Sequence, residues 1–132
     1  MAAGRYSFVI EQGATLDFEI KYTDSGGDPV DLTDYEGRMQ IKNSQGGGTT
    51  YITLSSSIDN DGTGLNFSGS NNVYPPSSGA IGIYISANSS SQLDFSEAYY
   101  DLEIVSGSVY PVVTRVLEGK VKLSKEVTTG NY

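Results

Sequence analysis

Apolar and polar residues alternate along most of this chain with a period of two. Tyr6, Phe8 and Ile10 alternate with Ser7, Val9 and Glu11, and Leu16, Phe18, Ile20 and Tyr22 alternate with Asp17, Glu19 and Lys21. One apolar face and one charged face is what a half-buried antiparallel strand requires. Gln12-Gly13-Ala14 between the two runs is short enough for a hairpin or a kink from strand to strand. Further on, Met39 and Ile41 face inward while Arg38, Gln40 and Lys42 face outward. Tyr51-Ile52-Thr53-Leu54 restarts a strand, and Ala80 to Ile85 sets three isoleucines on one face. Gly82, on the opposite face, marks close backbone approach or an uncovered position. Tyr100, Leu102 and Ile104 alternate with Asp101, Glu103 and Val105. Ser106-Gly107-Ser108 then reads as a hairpin turn. It leads into a strand with Val112, Thr114 and Val116 on one face and Val113, Arg115 and Leu117 on the other. Glu118-Gly119 is expected to bend that strand before Val121 and Leu123 continue it.

Turn chemistry punctuates these runs. Thr23 to Asp28 is rich in residues that tolerate positive φ, and Pro29 suits an edge or a strand entry. Asp31 to Tyr35 reads as a single capped turn in which Asp31 or Thr33 accepts backbone N–H groups and Leu32 and Tyr35 plug the core. Asn43 to Thr49, with Gly46-Gly47-Gly48, is expected to be a mobile connection. Asp59 to Gly64 is a turn leading into Leu65 and Phe67. Residues 68–79 form a long polar loop. Asn88 to Leu93 offers one polar helical turn, with Leu93 and Phe95 returning to the core, and the chain is expected to fray from Thr128. The pattern predicts about eight or nine short strands, with at most one or two helical turns, in one domain spanning 1–132. The expected fold is an all-β, antiparallel sandwich. It is immunoglobulin-like in architecture only, because the paired Cys and core Trp of immunoglobulins are absent.

Composition narrows the chemistry. Cys and His are both absent, which removes disulfides, thiolate nucleophiles, Ser-His-Asp triads and the usual zinc and haem sites. Eight Lys and Arg against sixteen Asp and Glu give a net charge of −8, which repels nucleic acid and anionic lipid. No apolar run approaches a membrane span, and no signal-peptide core follows Met1 to Arg5. The densest carboxylate group, Asp24, Asp28, Asp31, Asp34 and Glu36, falls in turns, where Asp serves local hydrogen bonding. Asp59-Asn60-Asp61-Gly62 imitates the start of a calcium loop, but Ser70 occupies the position of the bidentate Glu. Neither a catalytic residue, a cofactor site nor a metal site is expected. Ten Tyr offer a different use: Tyr74, Tyr99 and Tyr110 are candidates for a protein interface.

The order of three motifs resembles a known family. Ile10-Glu11-Gln12-Gly13-Ala14-Thr15-Leu16 is followed by Asp28-Pro29-Val30-Asp31-Leu32-Thr33-Asp34-Tyr35 and by Gly37-Arg38-Met39-Gln40-Ile41-Lys42. The chain then closes with Tyr100-Asp101-Leu102-Glu103-Ile104 and Val116-Leu117-Glu118-Gly119-Lys120-Val121-Lys122-Leu123-Ser124-Lys125-Glu126-Val127-Thr128. Together these are similar to the N-terminal β-domain of tailed-bacteriophage virion proteins of the baseplate, tail-fibre attachment or neck type. Asp34 stands where that family commonly has Gly, and Lys125 where it commonly has Pro. The stretch from Asn43 to Ser78 matches only in length and turn content. The resemblance implies a non-enzymatic structural component of a virion, an adaptor in the tail, baseplate or fibre-attachment region. Such a protein is made in the host bacterial cytoplasm, and here the module would stand alone, since nothing follows Tyr132. Its partners would be other virion proteins in a symmetric multi-copy assembly, with no nucleic acid and no membrane among them. A head-decoration or neck protein is the alternative within that class. A carbohydrate-binding module using Tyr74, Tyr84 or Tyr99 is the alternative outside it.

Overall fold

The computed structural model describes residues 4–69, 74–107 and 109–128, and among these the chain builds nine strands and one short helix. The strands are β1 (Gly4–Arg5), β2 (Phe8–Glu11), β3 (Leu16–Lys21), β4 (Tyr35–Ser44), β5 (Gly47–Ser55), β6 (Gly64–Asn66), β7 (Ala80–Ile85), β8 (Glu97–Ser106) and β9 (Val113–Ser124). The helix, α1, is Ala87–Ser91, and a 3-10 turn covers Pro76–Ser78. A large sheet runs β1-β9-β8-β4-β5, with β2 also on β9, and a small sheet runs β3-β7-β6. One apolar core joins them, with Ile10, Met39, Ile41 and Leu102 from the large sheet and Ile81, Ile83, Ile85 and Leu65 from the small one, all essentially solvent-free. The all-β, two-sheet character expected from the period-two pattern is present.

The purely antiparallel arrangement is corrected. β1 and β2 both pair parallel to β9, Gly4 opposite Leu117 and Phe8 to Glu11 opposite Val121 to Ser124, so the large sheet is mixed. The two segments form one edge that dips at Tyr6–Ser7. A Cβ on Gly119 would lie only 2.8 Å from the Tyr6 carbonyl carbon, so glycine there leaves room for the crossing backbone. Gly119 does not bend β9; its ladder with β8 continues through it, Gly119 opposite Tyr100.

Gln12 to Thr15 is no hairpin, because β2 and β3 belong to different sheets; it is the corner where the chain crosses between them. The corner is held by side chains. Gln12 Nε2 donates to the Leu93 carbonyl at 2.8 Å, and Gln12 Oε1 accepts from the Glu126 backbone at 3.1 Å. Gly13, at φ 84°, donates to Ser90 Oγ at 3.0 Å.

Two loop expectations change. Asn43 to Thr49 is a tight hairpin: β4 ends at Ser44, β5 begins at Gly47, and Gly46 takes φ 77° at the turn. The described part of the 68–79 loop is tied down by backbone bonds from Leu32 to Pro76 and from Tyr22 to Gly79. The β8–β9 turn is longer than Ser106-Gly107-Ser108. Ser106 N donates to the Val112 carbonyl at 3.0 Å, and β9 starts at Val113; Ser108 lies outside the described residues. The frayed end expected from Thr128 falls almost wholly on 129–132, also outside them.

Bulges break the alternation in both β5 and β9. Leu117 faces Leu102 and Arg115 faces Glu103, which leaves Val116 as an extra residue turned inward beside Leu117. Tyr51 is likewise skipped between Ile52 and Thr50, and its ring stacks on Phe95 with centroids 4.7 Å apart. The Asp31 to Tyr35 turn forms much as read. Asp31 Oδ1 accepts from Thr33 N at 3.0 Å, Leu32 is buried, and Asp34 adopts φ 66°, a conformation Asp tolerates better than most residues.

Candidate functional site

The carboxylates of the 24–36 segment are turn residues. Asp24 Oδ1 accepts from Gly26 N at 2.9 Å and from Asp28 N at 3.0 Å. The Thr33 hydrogen bonds hold the Asp31 carboxyl below its ordinary range, so it stays charged. Asp24, Asp28, Asp31, Asp34 and Glu36 are all exposed. Among the described residues no group of three or more His, Cys, Asp or Glu is placed to hold a metal ion.

Asp61 of the calcium-like loop has a structural task that the pattern did not reveal. Its Oδ2 accepts from Ser86 Oγ at 2.6 Å and from Ser89 Oγ at 2.7 Å, and its Oδ1 accepts from Thr63 N at 3.0 Å. Ser86 also caps α1 by accepting from Ser89 N at 3.0 Å. These bonds, the two serine hydroxyls foremost, hold the Asp61 carboxyl far below its ordinary value of 3.8. The signal lay in the serines that follow β7, which pass for a featureless polar turn when read alone.

The three candidate tyrosines do not meet. Tyr99 stands on the outer face of β8 between Lys42 and Lys120, with Lys120 Nζ 5.7 Å from its ring. Tyr74 lies on the other side of the molecule under Lys21 Nζ, 5.1 Å from its ring. Tyr110 lies in the β8–β9 loop; seven residue steps along β8 separate Tyr99 from Ser106, roughly 23 Å at the usual rise. They form no single patch.

Two surfaces stand out in their place. The outer face of the large sheet is a lattice of paired charge. Arg38 meets Glu103 at 3.1 Å, Arg115 meets Asp101 at 3.5 Å and Glu118 at 3.6 Å, and Lys120 meets Glu97 at 3.7 Å. Arg5 stands opposite Glu118 in register, and Arg5, Arg38, Gln40, Asp101, Arg115 and Glu118 help to line a shallow groove of about 760 Å³. Asp101 is the one carboxyl here pushed up, by burial first and the neighbouring Glu103 second. Arg38, Arg115 and Lys120 are thus each neutralised in place.

The second surface is the loop between β8 and β9. Val109 is 89% exposed, Tyr110 86%, Val112 62% and Val113 49%. Of this group the sequence singled out only Tyr110. Val112 and Val113 read as the two faces of a strand, and Pro111, which delays the strand, was the available cue. No protein-family model matches this chain, and no curated protein matches it.

Proposed function

We propose that the chain is a non-enzymatic structural component of a tailed-phage virion, an adaptor in the tail, baseplate or fibre-attachment region, built on an immunoglobulin-like sandwich. The observation that carries this reading is where the motif residues of the resemblance lie. Gln12 and Gly13 fasten the corner between sheets. Leu32 plugs the core, and Asp34 supplies the positive φ that a Gly would supply in the family. Gly37 gives way to Phe67, whose ring would lie 2.7 Å from an added Cβ, and Gly119 gives way to Tyr6. Several of the matched positions are thus ones at which this fold has little freedom. The test is mass spectrometry of purified particles. The reading requires this chain at a fixed stoichiometry, and particles that lack it would end it.

A carbohydrate-binding module is the second reading, favoured by one feature. Tyr84 stands on the outer face of the small sheet over Gly62, with Asp17 and Asn66 beside it, in a depression of about 240 Å³ floored by Gly64 and Gly82. A sugar ring could stack on Tyr84 while Asp17 and Asn66 accept and donate to its hydroxyls. Titration with host surface polysaccharide that saturates for the wild type and weakens in Tyr84→Ala would favour it.

A further inference from the structure

The end of the sandwich at which β8 turns into β9 joins an apolar tip to a ring of carboxylates. We propose that this end docks onto a protein partner presenting an apolar socket with a basic rim. The tip is Val109, Tyr110, Val112 and Val113, exposed between 49% and 89%. Large apolar side chains grouped in this way are uncommon on a surface unless something covers them.

The ring follows from the topology. Tyr35 pairs with Ser106 and Glu36 with Val105, which pairs in turn with Val113, so the 31–36 turn abuts the base of the tip. A Cβ on Gly107 would lie 3.3 Å from the Asp34 carbonyl. Thr23 and Thr114 line one groove, which sets the 24–28 turn alongside. Asp24, Asp28, Asp31 and Asp34 are exposed in these turns, and Glu36 is exposed where β4 leaves the second of them.

Charge decides the occupant. On the outer face of the large sheet, Arg5, Arg38, Lys42, Arg115, Lys120 and Lys122 stand among Glu11, Glu97, Asp101, Glu103 and Glu118, with Glu36 at the end of that face nearest the tip. The other two cations, Lys21 and Lys125, stand against ten carboxylates off that face, and four of these, Asp24, Asp28, Asp31 and Asp34, lie in the turns beside the tip. A second copy offers this end either a balanced face or more negative charge. Nucleic acid and anionic lipid offer only repulsion. A basic protein surface supplies what is missing, and its attraction would chiefly speed association.

The proposal does not depend on the virion reading, and its test separates the two. Tyr110→p-benzoylphenylalanine, and independently Val112→p-benzoylphenylalanine, are introduced into the full chain in the cells that make it, and the complexes are photo-crosslinked. The expected result is one protein joined through a peptide of net positive charge. The yield should fall at least fivefold in 0.5 M NaCl, where screening shortens to a few Å. It should fall similarly in the Asp28→Lys, Glu36→Lys double variant, with an unchanged melting temperature, while a probe at Tyr99 gives no such product. Absence of a product from both positions, a second copy as the product, an acidic or neutral joined peptide, or indifference to salt would each overturn the proposal. A basic partner outside the particle would uphold it while removing the virion reading.

Discussion

Gly119→Ala tests the least expected feature of the fold, the parallel edge formed by β1 and β2. The added methyl carbon would sit 2.8 Å from the Tyr6 carbonyl carbon and closer still to its oxygen, both backbone atoms that no rotamer change can remove. The edge must therefore lift. Three hydrogen bonds depend on its position: Tyr6 N to the Glu118 carbonyl at 3.0 Å, Lys120 N to Ser7 Oγ at 3.3 Å, and the Tyr100 hydroxyl to the Tyr6 carbonyl. At about 1 kcal/mol each, with the Tyr100 hydroxyl then left buried without its acceptor, the loss is about 3–4 kcal/mol. Reduced freedom of the unfolded chain returns about 0.5–1 kcal/mol, for a net cost of about 3 kcal/mol. For a chain of this length that lowers Tm by about 10 °C. Calorimetry measures the shift, and hydrogen exchange should show protection lost at Phe8 to Glu11 ahead of the β4–β8 centre. Gly107→Ala is the control. Its Cβ meets only one backbone oxygen at 3.3 Å, and its cost should stay under about 1 kcal/mol. A Gly119→Ala protein within about 2 °C of wild type, with exchange at β2 unchanged, would refute the reasoning.

Leu102→Ala removes a fully buried side chain from the centre of the core and should cost about 2–5 kcal/mol by chemical denaturation, where Val112→Ala at the tip should cost less than about 0.5 kcal/mol. Asp61→Asn should lower Tm at neutral pH. The wild-type carboxyl is held below 3.8, so its contribution is present above that value and drains away as pH falls beneath it; the variant's melting curve should be flatter across that acid range. Asp101 carries the opposite sign. Its folded pKa is raised, so ionisation opposes folding as pH rises through that value, and Asp101→Asn should be neutral or stabilising at pH 7 despite losing Arg115 as a partner.

Periodicity made β4 and β8 legible because each is central and packs only one face; Met39, Ile41, Tyr100, Leu102 and Ile104 turn inward as the alternation requires. The same alternation carries no information about strand direction. Phe8 and Ile10 bury equally well on a parallel or an antiparallel neighbour, so the mixed sheet stayed hidden. Bulges were hidden for a related reason. Val116-Leu117 and Tyr51-Ile52 place two consecutive apolar residues inward, which a strict period of two assigns to opposite faces. Glycine is hard to read where it serves clearance: Glu118-Gly119 reads as a bend and Gly46-Gly47-Gly48 as slack, yet one admits a crossing backbone and the others close a hairpin. Among the three tyrosines, only Tyr110 fell within a group of exposed apolar side chains, because only its loop lifts several of them away from both sheets at once.

The carboxylates at the loop end do two tasks that one substitution can separate. Asp24 and Asp31 fix their turns by accepting backbone N–H groups through a single oxygen, Oδ1, at 2.9–3.0 Å. An asparagine offers the same acceptor at the same position without the charge, and it is as well suited to such turns. Asp24→Asn with Asp31→Asn should therefore leave Tm within about 2 °C of wild type while reducing the negative field around Val109 to Val113. If that field sets the sign of the partner, association of the double variant should slow and lose part of its salt dependence, with dissociation little changed, because rim charges act mainly on encounter. Val112→Ser should do the reverse, leaving encounter intact and hastening dissociation, since it removes apolar area from the contact itself. Surface-plasmon kinetics against the crosslinked partner would read both constants. A double Asn variant that bound with unchanged kinetics would show that these aspartates are there for the turns alone.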